Sequence, residues 1–309
     1  MFKIDNKGPK TAMALLPTSL NGSNGKNGSH DFEFAYRRIR HELAKTKLRV
    51  VPMWMYHRAL HPADVILASY PRSGSTWARF VLYEILTGEE ATFDSVNKGL
   101  PGVKSCGTAL RRLPGSGRLL GIHERFRKEY LRAIYLVRDV RDVLLSEHAF
   151  LQTLDFFRGD LDKFTPLFLR GKVNGFGAWH DHVTCWLDSP LAEKNLLLVQ
   201  YRDLRSNPEL WFTRIADFLE VQTDAQRIRS AIANNSLEKM QPKVDGSSRM
   251  PWRKDRVVRS GSVEGWRTKL SPAQLELVER HCGRVMARLG YPLTSNRKET
   301  EAELQSATR

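Results

Sequence analysis

Residues 65 to 77 read VILASYPRSGSTW. A β-branched apolar run, Val65 to Leu67, stops at Pro71, and a short turn of Arg, Ser, Gly, Ser and Thr opens into the helix-like WARFVLYEIL. This order of strand, anion-sized turn and helix constrains the chain more than any other stretch. It aims several backbone N–H groups and a helix N-terminus at one point, ringed by the hydroxyls of Ser73, Ser75 and Thr76 and the guanidinium of Arg72. The natural occupant is a phosphate or a sulfate. Read alone, the same residues also fit an ordinary strand-to-helix turn with Ser and Thr as N-caps.

The nearest general template for such a turn is GxxxxGK[ST], and this chain lacks its first glycine, its Lys and its spacing. A nucleoside triphosphate enzyme needs a Lys on the terminal phosphates and a carboxylate-held Mg²⁺. The turn offers one cation, Arg72, and no acidic residue. It is suited to a shorter anion that needs no metal.

Further strand-length apolar runs follow at 119–122, 133–137 and 196–200, with helical patterns near 76–87, 141–152 and 207–219. Such runs read as strands buried on both faces, hence an α/β fold with a parallel sheet between helices. Gly88 and the pair Asn207-Pro208 mark helix ends. Ligands of an open parallel sheet sit beyond the carboxyl ends of its strands. Those ends carry residues 70–76, His123-Glu124, Arg138-Asp139 and Tyr201-Arg202.

Two more segments carry chemistry. In IYLVRDVRDVLLSEHAF, 134–150, Arg138 stands at a strand end and Ser146 follows eight residues later on the next helix. Together they make a second anion site, distinct from the first turn. The alternative for Arg138 is an ion pair with Asp139 or Asp142, and Asp142 reads as a carboxylate near a helix start, favourable with the dipole. In RVVRSGSVEGWRTKL, 256–270, Gly261 and Gly265 suit a loop that folds over a ligand, with Arg259 as a further phosphate contact.

The net charge is +15, from 49 Lys and Arg against 34 Asp and Glu, which points to anionic partners. No zinc-finger or aromatic RNA-binding signature accompanies it, so nucleic acid is not expected. The three cysteines, Cys106, Cys185 and Cys282, lack CxxC spacing and read as small buried residues. The pair His180 and His182 lacks a third metal ligand at sensible spacing and reads as structural or as part of a substrate pocket. The aromatic stretch 150–168 is equally a core stripe or a pocket lining. Residues 1–30 end in a Gly, Asn and Ser tract and read as a flexible tail. Residues 31–62 read as an N-terminal helical segment, with 47–60 as a candidate contact to anionic membrane, and 293–309 as a C-terminal tail. A signal-peptide pattern is missing at the N-terminus, so a cytoplasmic address, peripheral to membrane at most, is expected.

Taken together, YPRSGSTW, the Arg138 to Ser146 segment and RSGSVEGW resemble the sulfotransferases that use 3′-phosphoadenosine 5′-phosphosulfate (PAPS), over roughly residues 63–292. In that family the first loop reads close to YPKSGTTW and holds the 5′-phosphosulfate, and the late loop often reads RKGxxGxW. The resemblance implies a P-loop-like three-layer α/β/α fold. It implies that Arg72, Ser73, Gly74, Ser75 and Thr76 cradle the 5′ end and that Arg138 and Ser146 hold the 3′-phosphate. Trp77 and Tyr201 would lie at the adenine, the segment NSLEKM, 235–240, would be a fainter adenine-side match, and Arg259, Ser260 and Gly261 would form the late loop, with Ser260 in place of a Lys. His123 matches the histidine of a KTHLP-like segment and is the first choice for general base, with Glu124 as its rival. That segment's Lys is Gly121 here, which leaves Arg72 as the main cation at the reacting centre.

The expected activity is transfer of a sulfuryl group from PAPS to an acceptor hydroxyl, without metal, on a small-molecule, lipid or carbohydrate acceptor. The rival readings are a Mg²⁺-dependent P-loop kinase or nucleotide hydrolase, and a non-catalytic basic polyanion-binding protein.

Overall fold

In the computed structural model, the described residues are 42, 43, 46, 56–245 and 261–294. The flexible tail, most of the 31–62 segment with its membrane contact at 47–55, Arg259, Ser260 and the end of the chain from 295 lie outside them.

Among the described residues five strands form one sheet: β1 Val65–Ser69, β2 Arg111–Leu113, β3 Gly117–Ile122, β4 Ala133–Val137 and β5 Leu196–Gln200. Their order is β2-β3-β1-β4-β5. The last four are parallel, with Ile66 beside Ala133 and Leu67 beside Gly121. The short β2 is an antiparallel edge strand, which the apolar pattern did not announce because Arg111 and Arg112 are exposed. Charged residues on an edge discourage pairing with another chain.

The helices are α1 Ser75–Thr87, α2 Phe93–Gly99, α3 Val140–Thr153, α4 Leu161–Leu169, α5 Trp179–Leu187, α6 Tyr201–Ser206, α7 Pro208–Phe218, α8 Ala225–Asn234, α9 Leu237–Asp245 and α10 Pro272–Arg288. The helix expected over 207–219 is α7, and a short α6 that was not expected precedes it, the two separated at Asn207, whose φ of −138° and ψ of 65° leave the helical region. Pro208 then supplies a first helical position that needs no N–H partner.

All five residues of β1 and of β4 are buried, and alternate ones feed opposite layers. Ile66, Ala68, Tyr135 and Val137 join α3, α4, α5 and α10 through Val143, Phe168, Trp186 and Met286. Val65, Leu67, Ile134 and Leu136 join α1, α7 and α8 through Val81, Phe212 and Ile228. The result is three layers, helices on both faces of a mostly parallel sheet. Among the described residues no helix is long and apolar enough to cross a membrane.

The strand order sets the position of the cleft. From β1 the chain crosses to β3 on one side, and from β4 it crosses to β5 on the other. The connections therefore diverge above the carboxyl ends of β1 and β4, leaving a crevice between the 70–74 turn and Arg138.

Candidate active site

The turn after β1 is built from unusual backbone. Arg72 has φ of 68° and Gly74 has φ of 96°. A Cβ on Gly74 would stand 2.5 Å from the Tyr201 ring, so only glycine fits both the dihedral and the close approach. Helix α1 starts at once, with no side-chain cap and no acidic residue in its first turn. Its leading N–H groups and positive dipole end are thus presented to an anion. Ser75, Thr76 and Trp77 are half-buried, whereas Ser73 is fully buried with its hydroxyl unpartnered. That buried, unpartnered hydroxyl beside the turn is a feature that spacing alone did not reveal.

Arg72 Nε donates to the Ser146 hydroxyl at 3.1 Å, and its guanidinium lies 4.4 Å from the centre of the Phe150 ring. Arg138 Nη1 donates to the main-chain oxygen of Arg72 at 3.1 Å. The residues of the two expected anion sites therefore lie side by side, because β1 and β4 are adjacent in the sheet. Neither expected carboxylate pairs with Arg138. Asp139 is taken by Arg141, fully buried, while Asp142 accepts from the backbone N–H of Glu264 and Trp266. Among the described residues Arg138 makes no ion pair, and its buried Nε has no partner.

Tyr201 packs its ring 4.7 Å from the Arg138 guanidinium and donates to the Gly261 carbonyl at 3.2 Å. Trp77 donates its indole N–H to the Asn235 carbonyl at 2.9 Å and meets Phe212 edge-on. Segment 235–240 is thereby brought beside Trp77. Gly261 has φ of 55°, a left-handed turn that starts the late loop.

At the end of β3, His123 Nδ1 lies 2.9 Å from the main-chain oxygen of Ser69 and 3.2 Å from its hydroxyl. A carbonyl only accepts, so in the neutral ring Nδ1 carries the proton and the lone pair sits on Nε2. Phe176 packs edge-on against the ring at 5.6 Å. The Glu124 carbonyl accepts from the Trp186 indole at 3.0 Å. His182 is fully buried; Tyr135 hydroxyl and Nδ1 are 2.9 Å apart, and Nε2 is 3.0 Å from the His123 carbonyl. Its ring thus joins β4 to the backbone of His123. His180 is half-buried, and no three His, Cys, Asp or Glu side chains among the described residues gather as a metal site. Cys106 and Cys282 are buried but Cys185 is only half-buried, at variance with the uniform expectation.

The aromatic stretch divides between its two readings. Phe164 and Phe168 are fully buried in the core, whereas Phe150, Phe156 and Phe157 are partly exposed. Behind the turn lies a buried polar group that the motifs did not point to. Asn174 Nδ2 donates to Glu147 Oε1 at 3.1 Å and to the Tyr70 hydroxyl at 3.2 Å, and that hydroxyl donates to the Gly177 carbonyl. Burial pushes the Glu147 carboxyl above its ordinary value, against the pull of Asn174 and Arg72.

An uncapped helix N-terminus, two neighbouring guanidiniums and a histidine stand together at the carboxyl ends of β1, β3 and β4. The family model described as "Sulfotransferase domain" matches residues 62–290. The chain belongs to the sulfotransferase family. Its similarity to Sulfotransferase 1B1 of Mus musculus is 26% identity over 240 residues, covering 70% of this chain and 80% of that one. Cytosolic sulfotransferase 1 of Danio rerio is 27% identical over 241 residues, with coverage of 70% and 80%. Among solved structures, a mouse sulfotransferase complexed with PAP superposes with a TM-score of 0.58 at 22% identity, covering 72% of this chain and 85% of that one. A retinol dehydratase in complex with androsterone and PAP gives 0.61 at 20% identity, covering 75% and 82%. At these identities the structural likeness speaks for the fold. As a member of the family this sulfotransferase transfers the sulfuryl group from PAPS to an acceptor.

Proposed function

We propose that this sulfotransferase acts on the hydroxyl of a small-molecule acceptor, without a metal, and that His123 is its base. The observation that carries the assignment is the His123 tautomer: Nδ1–H is committed to the Ser69 carbonyl, so Nε2 is the atom that takes the acceptor proton. Ser69 ends the strand from which Arg72 and the turn project, so the base, at the end of the neighbouring β3, is tied to the element that carries the cation. PAPS supplies a sulfuryl group already joined to a phosphate leaving group.

The residues suit that ligand. Arg72, with the N–H groups of Gly74, Ser75 and Thr76, would neutralise charge at the 5′ end. Ser73, whose hydroxyl is buried and unpartnered beside the turn, would complete the cradle. Arg138 and Ser146 would take the 3′-phosphate, with the Arg138 guanidinium held flat against Tyr201. Trp77 and Tyr201 would flank the adenine, and Gly261, with Arg259 and Ser260 before it, would close over the nucleotide. The half-buried rings of Phe150 and Phe176, beside Arg72 and His123, would face the acceptor. The catalytic unit is the domain at 63–292, flanked by tails at 1–30 and 293–309 and by the 31–62 segment, which would touch membrane peripherally from a cytoplasmic protein.

The test is turnover of labelled PAPS with a panel of phenols, sterols and sugars, in chelator, for wild type and His123→Ala. Sulfated product from wild type and none from the variant is expected. Product formation by the variant at the wild-type rate would remove His123 as base, and loss of wild-type turnover in chelator would remove the metal-free reading.

A further inference from the structure

The segment Arg138-Asp139-Val140-Arg141-Asp142 joins β4 to α3, and three of its four charged side chains, Arg138, Arg141 and Asp142, reach across the fold. Arg141 is fully buried, bidentate on Asp139, donates to the Pro292 carbonyl at 3.0 Å and lies 3.7 Å from the centre of the Trp266 ring. Asp142 reaches the late loop. Its Oδ2 accepts from the Glu264 N–H at 2.9 Å and its Oδ1 from the Trp266 N–H at 3.2 Å, across more than 120 residues of sequence. Arg138 donates Nη2 to the Ser262 carbonyl at 2.8 Å, two residues before Glu264. Tyr201, against which Arg138 packs, donates to the Gly261 carbonyl.

The loop's own shape depends on this hold. Glu264 has φ of 62°, a left-handed conformation that costs a non-glycine residue ~1–2 kcal/mol. A Cβ on Gly265 would stand 2.7 Å from the Ser262 hydroxyl, so the turn is wound tightly enough to bring both N–H groups onto one carboxylate. Asp142 is buried. A buried carboxylate with two main-chain donors is an anchor whose loss would leave those donors unpaired.

We infer that Asp142 is a positioning residue for the nucleotide: by pinning residues 264–266 to the start of α3, it sets the Gly261 and Ser262 carbonyls that hold Tyr201 and Arg138 in place. The dipole reading of Asp142 accounts for neither bond to the loop. The inference rests on the proposed assignment of Arg138 to the 3′-phosphate.

The experiment is titration calorimetry of wild type, Asp142→Asn and Gly265→Ala with adenosine 3′,5′-bisphosphate and with adenosine 5′-monophosphate, plus thermal melting of each protein. Wild type should prefer the bisphosphate. In Asp142→Asn, which keeps the side chain's size but can satisfy only one N–H, that preference should fall about tenfold, equivalent to ~1.4 kcal/mol. Gly265→Ala, which disturbs the turn from the other side, should lower it in the same direction. Affinity for the monophosphate, which shares the adenine contact of Tyr201 but has no 3′-phosphate for Arg138, should fall by clearly less than that for the bisphosphate in both. A purely structural role would lower the melting temperature and leave the ratio of the two affinities at its wild-type value, which would overturn the inference. A wild type with no preference would instead remove the Arg138 assignment beneath it.

Discussion

His123 shows how one atom's partner decides chemistry. A histidine at the end of a strand is ordinary, but Nδ1 against a carbonyl fixes which nitrogen carries the lone pair. His123→Ala should lose at least about a hundredfold in turnover, the scale of general-base catalysis, while keeping nucleotide affinity within twofold. Stopped assays and calorimetry on the same protein check both parts. Arg138→Ala should weaken binding of adenosine 3′,5′-bisphosphate by about tenfold to a hundredfold, from loss of charge-assisted bonds worth ~1.5–3 kcal/mol, with little effect on the monophosphate. Glu147 makes a prediction of a different kind. Its folded pKa is raised above the usual 4.5 by burial, so the unfolded chain ionises first and wild-type stability falls as pH rises from that value through the folded one. Glu147→Gln keeps the Asn174 partner and cannot ionise. Urea melts should coincide near pH 4 and show the variant more stable at pH 8; equal stability at pH 8 would mean that Glu147 titrates normally.

Among the elements, α1 carries the most demanding constraint. It begins without a side-chain cap because the residues that precede it form the anion turn, and it ends on Gly88, whose N–H closes on the Glu84 carbonyl. Gly74→Ala must place a Cβ in a left-handed backbone and against the Tyr201 ring. The backbone alone costs ~1–2 kcal/mol, and displacement of Tyr201 should also disturb Arg138, which packs on it. The expected variant melts several degrees lower and binds nucleotide more weakly, whereas Gly88→Ala, far from the cleft, lowers only the melting temperature. Equal nucleotide affinity in the two variants would show that the Tyr201 contact does not transmit to the site. The short α6 is the opposite case, a helix stopped by Asn207 and Pro208 that starts at Tyr201, whose ring packs against Gly74 and Arg138.

For the molecule as a whole, the strand order concentrates the site at one crevice and the charge serves its ligand. A net charge of +15 on an enzyme whose donor substrate is a polyanion should speed encounter and make binding salt-sensitive. Saturating adenosine 3′,5′-bisphosphate, at about 100 times its Kd, should stabilise the protein by roughly 2.7 kcal/mol, read as an upward shift in melting temperature. The shift should shrink with added salt yet persist at 0.5 M, since buried charge-assisted bonds are screened less than surface ones. A shift that vanishes with salt and is equalled by any polyanion would be the signature of a basic surface rather than of a built site.

Much of this architecture was legible along the chain. The apolar runs located β1, β3, β4 and β5, and the turn residues marked the helix ends, because period and backbone preference are local properties. The edge strand β2 escaped because Arg111 and Arg112 face solvent and give no apolar signal. The break at Asn207 was visible as a helix end but not as a junction between two helices. By itself the sequence determined that a strand, an anion turn and a helix lie together at YPRSGSTW, and that an Arg and a Ser follow a second strand. Only the tertiary structure decided that Arg72 meets Ser146, that Ser69 selects the His123 tautomer, that the Ser73 hydroxyl is buried and that Asp142 holds residues 264–266. Each of the three pairings joins residues 54 or more positions apart. Such contacts are set by which strands become neighbours in the sheet, a choice made by packing two apolar layers against it rather than by any local pattern.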